Sequence, residues 1–386
     1  MNNFSYHVPT DIRFGKDQIA CLPEELKKYG HRVLLVYGGG SIKRTGLYDK
    51  VCQLLHEFEI YELPGIEPNP KLKSVRTGAK LCKEHKIDVI LAVGGGSCID
   101  AAKHIACGAY YDGDPWDLML DRSKITSALP IAVVLTICAT GSEMNSGAVI
   151  SNEETNEKLE INSPVLYPTL SICDPTYLYT LPKKQTAAGT VDIMSHVLEQ
   201  YFQPNMEAYV TDCLSEGVLK TCIKYGPIAL EEPDNYEARS NLMWASTIAL
   251  NHLLTVGKGG AWSVHPMEHE LSAFYDITHG VGLAILTPAW MKYVLCDKTV
   301  DRFVLFARNV WGIEAEDAYE AARLGIEKTE EFFKNLGMPQ RLSEVGIGTE
   351  KLQFMAEETV RTSRISSHSY YPLQAEDILK IFESVC

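Results

Sequence analysis

Short apolar runs alternate with amphipathic segments in the first half of the chain. Residues 31–37, 87–93 and 130–137 are continuous aliphatic runs of the length of a buried strand. Residues 70–85 have helical spacing, and a further helix is predicted to begin near Cys98. Strands that are apolar on both faces and alternate with helices predict a parallel sheet covered on both sides. Residues 143–170 are expected to form a hairpin or extended excursion.

The pattern changes near residue 181. Beyond that point strand patterns are nearly absent, and helical apolar spacing predicts helices over 185–202, 208–225, 235–254, 281–295, 300–311 and 316–336. A chain of 386 residues also exceeds the usual size of a single hydrophobic core. We therefore predict an α/β domain over residues 1–181 and an all-helical domain over residues 182–386.

Each of the three predicted strands runs directly into a turn rich in glycine, serine or threonine. In a parallel sheet such turns lie at the carboxyl ends of the strands, where ligands bind, and glycine lets the backbone approach a phosphate closely. A single turn of this kind is explained by glycine ending a strand, without any ligand. Three such turns together favour a phosphate-bearing ligand. None of them spells the GxGxxG fingerprint. The turns are Gly38-Gly39-Gly40-Ser41, Gly94-Gly95-Gly96-Ser97 and Ala139-Thr140-Gly141-Ser142.

The first of these turns carries information about the type of dinucleotide. An acidic residue at this place in dinucleotide-binding folds binds the ribose hydroxyls and repels a 2′-phosphate. Here Ser41, Lys43 and Arg44 follow Gly39, and no carboxylate occupies the turn. The turn therefore favours NADP(H) over NAD(H), the alternative being that Lys43 and Arg44 are solvated surface charges.

A carboxylate and a histidine share one face of the first predicted helix of the second domain. Asp192 and His196 are four residues apart, so their side chains lie about one turn from each other. Glu199 continues the same stripe and could serve as a partner of the residues that bind a ligand. Taken alone, His196 is explained as a core or surface group.

Three further histidines lie close together in the sequence. Pro266 suits the first turn of a helix, which would place His265 at the helix start and His269 one turn later. His279 follows ten residues after His269. One carboxylate with several imidazoles is a ligand set suited to Fe(II) or Zn(II), although the compact HExxH motif is absent.

Composition and charge exclude several other classes of protein. The formal net charge of −14 disfavours nucleic acid and anionic membranes as partners. The longest apolar stretches are about ten residues, half of what a bilayer-spanning helix needs. The first fifteen residues lack the pattern of a signal peptide, and eleven cysteines without a CxxC pair fit a reduced protein. We expect a cytoplasmic protein.

Taken together, several motifs resemble the iron-containing alcohol dehydrogenase family, particularly its butanol dehydrogenase-like branch, over about residues 4–384. They are VLLVYGGGSIKRTGLYD (33–49), EPNP (67–70), AVGGGSCIDAAK (92–103), ATGSEMNSGAVISNEET (139–155), GTVDIMSH (189–196) and residues 265–282. The resemblance implies a Rossmann-like dinucleotide-binding α/β domain followed by an all-α metal-binding domain, the dehydroquinate synthase-like fold. Dimers are usual in this family, so a homodimer is expected.

The resemblance also implies roles for individual residues. The four metal ligands, for Fe(II) first and Zn(II) as the alternative, would be Asp192, His196, His265 and His279. His269 matches a histidine near the substrate that is assigned to proton transfer. The residues near the dinucleotide would be Gly38, Gly39 and Ser41 at the adenosine-ribose end, Gly95, Gly96, Ser97 and Asp100 at the pyrophosphate and nicotinamide, and Thr136, Thr140 and Ser142 along the same cleft.

The activity implied is the interconversion of primary alcohols and aldehydes, such as butanol and butanal, with NAD(P)H. An apolar group formed by Trp262, Met267, Phe274 and Tyr275 would suit a short primary alcohol, or else belongs to the core. One alternative is polyol oxidation of the glycerol dehydrogenase type. A non-redox metal lyase on the same scaffold needs more basic residues than Lys258 and its neighbours provide. A nucleotide-binding regulatory protein has no need of the metal-ligand set.

Overall fold

The computed structural model describes residues 1–204 and 207–386 and divides into two compact units. The α/β unit comprises His7–Leu181 and Pro233–Asn251. The helical unit comprises Met1–Tyr6, Pro182–Glu232 and His252–Cys386. The boundary between the two units at Leu181 and Pro182 coincides with the change of the apolar pattern from strand-like to helical.

The α/β unit is built on a parallel sheet, as predicted. Its strand order is β1-β8-β5-β4-β2-β3, so that β2, β4 and β5 are neighbours, and β6 and β7 form a separate antiparallel hairpin. β4 and β5 are buried along their whole length, which explains their continuous apolar sequence. The strands are β1 (Asp11–Phe14), β2 (Arg32–Tyr37), β3 (Glu59–Leu63), β4 (Val89–Gly94), β5 (Ile131–Leu135), β6 (Gly147–Asn152), β7 (Glu157–Asn162) and β8 (Leu170–Cys173).

Helices connect and cover these strands. The predicted helices near residues 70–85 and 98 are α4 and α5, and the second begins two residues earlier than expected, at Gly96 within the glycine turn. The helices of the α/β unit are α1 (Leu22–Lys27), α2 (Ser41–Arg44), α3 (Leu47–Leu54), α4 (Leu72–His85), α5 (Gly96–Gly108), α6 (Trp116–Leu120) and α9 (Tyr236–Ala249).

One helix belongs to a different unit from the one predicted for it. The sequence placed residues 235–254 in the helical domain, whereas α9 packs within the α/β unit. There the hydroxyl of Thr247 donates to the buried carboxylate of Glu143 at 2.6 Å. Apolar spacing identifies a helix and its buried face, but it does not identify the core that the face joins. The domain limits 1–181 and 182–386 therefore differ from the observed units at this segment and at residues 1–6.

The helical unit contains the remaining helices. α8 continues through Pro227 to Glu231, although its predicted end was residue 225, and Gly226 and Ala229 of this last part are buried. None of the described helices is long and apolar enough to cross a membrane. The helices are α7 (Lys183–Tyr201), α8 (Tyr209–Glu231), α10 (Val264–Tyr275), α11 (His279–Val294), α12 (Val300–Trp311), α13 (Ala318–Asn335), α14 (Leu352–Thr362), α15 (Ile365–His368) and α16 (Ala375–Glu383).

α7 lies at the centre of the helical unit and is buried on all sides from Thr186 to Tyr201. The start of α11 approaches it so closely that a β-carbon at Gly280 would overlap the carbonyl oxygen of Ala188. Only glycine fits there. This close contact fixes His279, the residue before Gly280, against the middle of α7.

Candidate active site

Four residues predicted from two separate stretches of sequence come together in the helical unit. The potential ligand atoms of Asp192, His196, His265 and His279 all lie within 4.8 Å of one another. Asp192 Oδ1 is 3.6 Å from His196 Nδ1 and 3.7 Å from His279 Nε2. We call these four residues the Asp–His cluster. Its members are buried except His279, whose side chain is 23 % exposed.

Three helices contribute the side chains of the Asp–His cluster, and the position of each residue on its helix brings it to the cluster. The spacing of four residues on α7 puts Asp192 and His196 on one face. His265 is the second residue of α10, and His279 is the first residue of α11. The rings of His196 and His265 stack with their centroids 4.6 Å apart.

The chemistry of this donor set fits a divalent transition metal. Three imidazole nitrogens and one carboxylate oxygen are ligands that Fe(II) and Zn(II) accept. Burying a carboxylate is costly unless hydrogen bonds or a cation compensate its charge. A divalent cation among these four side chains would supply that compensation.

Two buried carboxylates lie behind the histidines. Glu199 accepts hydrogen bonds from three backbone N–H groups at the start of α10, and its Oε1 is 3.2 Å from Nδ1 of His265. Burial raises the pKa of Glu199 to about 7, while those three backbone hydrogen bonds act in the opposite direction. Glu268 accepts from Nδ1 of His279 and from the hydroxyl of Ser272.

The sequence interpretation missed Glu268. Its spacing from His265 on α10 was visible in the sequence, but its contact with His279 depends on the packing of α10 against α11. Glu268, His269 and His279 also form a second group whose potential ligand atoms lie within 4.8 Å of one another.

His269 is half-buried beside the Asp–His cluster. Its ring centroid is 6.5 Å from that of His265 and 5.8 Å from that of His279.

Trp262 packs its ring against His265, with a centroid separation of 4.6 Å. Of the residues predicted to form an apolar pocket, Trp262 is thus beside the histidines, whereas Met267 is fully buried in the core. Phe274 packs instead on Phe354 and, with Tyr275, lies under the ammonium of Lys351.

The predicted dinucleotide residues of the α/β unit lie at one edge of its sheet. β5, β4 and β2 are adjacent and parallel, so the segments that follow them are side by side. In the segment after β4, a β-carbon on Gly96 would lie 2.5 Å from Oγ1 of Thr140, so a side chain at Gly96 would force one of the two residues to move. Gly38, Gly39 and Ser41 follow β2, Gly95, Gly96 and Ser97 follow β4, and Thr136 and Thr140 follow β5.

Asp100 and Ser142 take part in a buried network of the α/β unit. Asp100 accepts from the hydroxyl of Ser142 at 2.6 Å and from the N–H of Val149 at 2.9 Å. Lys103 donates to Ser142 and Asn145, and burial lowers its pKa to about 8. These side chains fasten the β6–β7 hairpin to α5, a role that sequence reasoning did not assign to them.

The comparisons with known proteins agree along the whole chain. The family described as iron-containing alcohol dehydrogenase matches residues 9–175, and its C-terminal counterpart matches residues 186–386. NADH-dependent butanol dehydrogenase A of Clostridium acetobutylicum is 57 % identical over 99 % of both chains. The NADPH-dependent aldehyde reductase YqhD of Escherichia coli is 43 % identical over 90 % of both.

A solved structure is similarly close. The crystal structure of NADH-dependent butanol dehydrogenase A from Thermotoga maritima has a TM-score of 0.96 at 43 % identity, covering 100 % of this chain and 99 % of the other. The chain belongs to the iron-containing alcohol dehydrogenase family. It is an oxidoreductase that interconverts alcohols and aldehydes with NAD(P)H, and its family implies a divalent metal ion as well.

Proposed function

We propose that Asp192, His196, His265 and His279 bind the divalent metal ion, Fe(II) first and Zn(II) as the alternative, and that the substrates are short primary alcohols and aldehydes such as butanol and butanal. The observation that carries the first part is the Asp–His cluster, in which four potential ligand atoms, three of them on buried residues, lie within 4.8 Å of one another. The names of the relatives from Clostridium acetobutylicum and Thermotoga maritima support the substrate class.

We assign the dinucleotide to the edge of the sheet where the segments after β2, β4 and β5 lie side by side. Backbone N–H groups at the start of α5 suit the pyrophosphate, and the absence of a side chain at Gly96 lets Thr140 pack directly on this turn. The role of Asp100 and Ser142 there would be indirect, through the network that fastens the β6–β7 hairpin.

The chain's own residues orient the reactants and supply a proton. When bound, the metal ion provides a Lewis acid for the substrate oxygen and the nicotinamide provides the hydride. His269 is the group that we assign to the proton that the alcohol oxygen gains or loses, because an imidazole exchanges protons near neutral pH. Its half-buried position beside His265 and His279 supports this role.

NADP(H) is the dinucleotide that we propose as preferred. The turn Gly38–Ser41 carries no carboxylate to repel a 2′-phosphate, and the space around Gly39 is open for 4 Å from the position of a β-carbon. The two relatives that are 57 % identical are named NADH-dependent, whereas YqhD, at 43 % identity, is named NADPH-dependent. The ratio of kcat/KM for NADPH to kcat/KM for NADH, measured with butanal, decides the preference; a ratio below one would overturn it.

The alternatives are less well supported by the contacts. A lyase acting on a sugar phosphate would need free cations, yet Lys258 pairs with Asp212 at 2.5 Å and donates to the carbonyl of Gln200. Polyol oxidation predicts higher kcat/KM for glycerol than for butanol, so the two alcohols are compared in the same assay.

The test of the metal assignment is removal and reloading. The protein is stripped with a chelator, reloaded anaerobically with Fe(II) or Zn(II), and assayed by the oxidation of NADPH or NADH with butanal. We expect loss of activity on stripping and recovery with one of the two metals. Full activity of the metal-free protein would refute the role of the Asp–His cluster.

Location and assembly are two further parts of this proposal. All eleven cysteines are free, which supports the reducing cytoplasm as the compartment. A homodimer is expected from the family, and light scattering of the purified protein measures it directly.

A further inference from the structure

Two histidines of the Asp–His cluster have the same environment on the side away from the cluster. Nδ1 of His265 contacts Oε1 of Glu199, and Nδ1 of His279 contacts Oε2 of Glu268. Both glutamates are buried, with 4 % and 0 % of their surface exposed. They come from different helices, so the repeated arrangement does not follow from one local sequence motif.

These contacts determine which ring nitrogen carries the proton. In its ionised form a carboxylate only accepts hydrogen bonds, so an Nδ1 that contacts the ionised form of Glu199 or Glu268 is the donor. In a neutral imidazole the other nitrogen, Nε2, then has its lone pair available to a metal. Nε2 of His279 already faces Asp192, 3.7 Å from Oδ1.

Glu199 has an additional role in joining two helices. α10 begins without a side-chain cap of its own, although Ser263 occupies its N-cap position. The carboxylate of Glu199, on α7, instead accepts from the N–H groups of Ser263, Val264 and His265 at 2.7–2.8 Å. It thereby caps α10 from a neighbouring helix and ties His265 to the helix that carries Asp192 and His196.

We infer that Glu199 and Glu268 are positioning residues that fix the tautomer and orientation of His265 and His279 and so set the affinity of the Asp–His cluster for its metal ion. Carboxylates behind ligating histidines also increase the basicity of the ligand nitrogen. The inference rests on the proposed metal site. The two residues differ in that Glu199 also holds backbone groups, so it contributes to the stability of the metal-free protein as well.

The experiment measures metal binding rather than turnover. Metal-free wild type, Glu199→Gln and Glu268→Gln are titrated with Zn(II) in competition with a chromophoric chelator, and with Co(II) to record the visible absorption of the bound ion. Glu216→Gln is the matched control, because Glu216 is a buried carboxylate of the same unit that accepts from Tyr201 and Asn309 instead of from a histidine. Thermal unfolding of each metal-free variant is recorded in parallel.

We expect Glu268→Gln and Glu199→Gln each to weaken Zn(II) binding by about 10–100-fold and to change the Co(II) spectrum, with Glu216→Gln binding like wild type. Metal-free Glu199→Gln should in addition unfold at a lower temperature. Wild-type affinity and spectrum in both glutamine variants would overturn the inference while leaving the metal site intact. If wild type itself binds neither ion, the metal assignment and the inference both fail. If a glutamine variant does not fold, it is replaced by Glu199→Asp or Glu268→Asp, which keeps the charge on a shorter side chain. Wild-type Zn(II) affinity and a wild-type Co(II) spectrum in these variants would likewise overturn the inference.

Discussion

The two candidate sites of this enzyme are built in different ways. The Asp–His cluster of the helical unit consists of side chains, buried except for the partly exposed His279, that are held by helix packing and by Glu199 and Glu268. The glycine turns that follow β2 and β4 in the α/β unit consist of main chain, and at Gly96 the essential feature is the absence of a side chain. A substitution that preserves shape should therefore disable the first site, whereas a substitution that adds a single methyl group should disturb the second.

The largest effect is expected from a change of charge without a change of shape in the Asp–His cluster. Asp192→Asn keeps the volume of the side chain but removes the only carboxylate of the four donors. We expect kcat/KM with butanal to fall roughly 10⁴-fold, since Lewis-acid stabilisation amounts to several kcal/mol. Metal content should fall with it, and binding of NADPH should not. Wild-type turnover at a normal metal content would contradict the assignment.

A smaller loss is expected when the proton donor is removed but the Asp–His cluster is left intact. His269→Ala should lower kcat about 10²–10⁴-fold, the usual contribution of general acid–base catalysis, with metal content unchanged. His56→Ala, a change at an exposed histidine of the α/β unit, serves as the control. If His269→Ala keeps the full rate across the pH range, the proton has another donor.

The main-chain site is tested by adding one methyl group. Gly96→Ala places a β-carbon 2.5 Å from Oγ1 and 2.6 Å from Cγ2 of Thr140. Overpacking of this kind costs about 1–3 kcal/mol unless the turn shifts, and a shift of the turn that weakens NADPH binding by a similar free energy should raise the KM for NADPH about 10–100-fold with normal metal content. Gly217→Ala on α8, where an added β-carbon meets nothing within 4 Å, is the control and should leave KM unchanged. Equal behaviour of the two variants would remove Gly96 from the dinucleotide site.

The same contrast explains what could be predicted from the sequence. The strands β2, β4 and β5 and the histidine positions were predictable because apolar runs and titratable side chains are visible residue by residue. The exposed edge strands β1 and β3 were missed because they lack continuous apolar runs. Glu268 was missed because its importance depends on the packing of α10 against α11. Likewise, no local pattern shows that α9 joins the core of the α/β unit.

The smallest expected effect concerns the choice between NADPH and NADH, which we expect to depend on the charge at Gly39, where a side chain has space. Gly39→Asp introduces the carboxylate that the turn after β2 lacks, at a site where a β-carbon meets nothing within 4 Å. Repulsion of a 2′-phosphate should lower the ratio of kcat/KM for NADPH to that for NADH by about tenfold, equivalent to about 1.4 kcal/mol. Gly39→Ala separates the effect of bulk from that of charge. A ratio that falls equally in both variants would assign the preference to shape, and a ratio that falls in neither would place the adenosine ribose elsewhere.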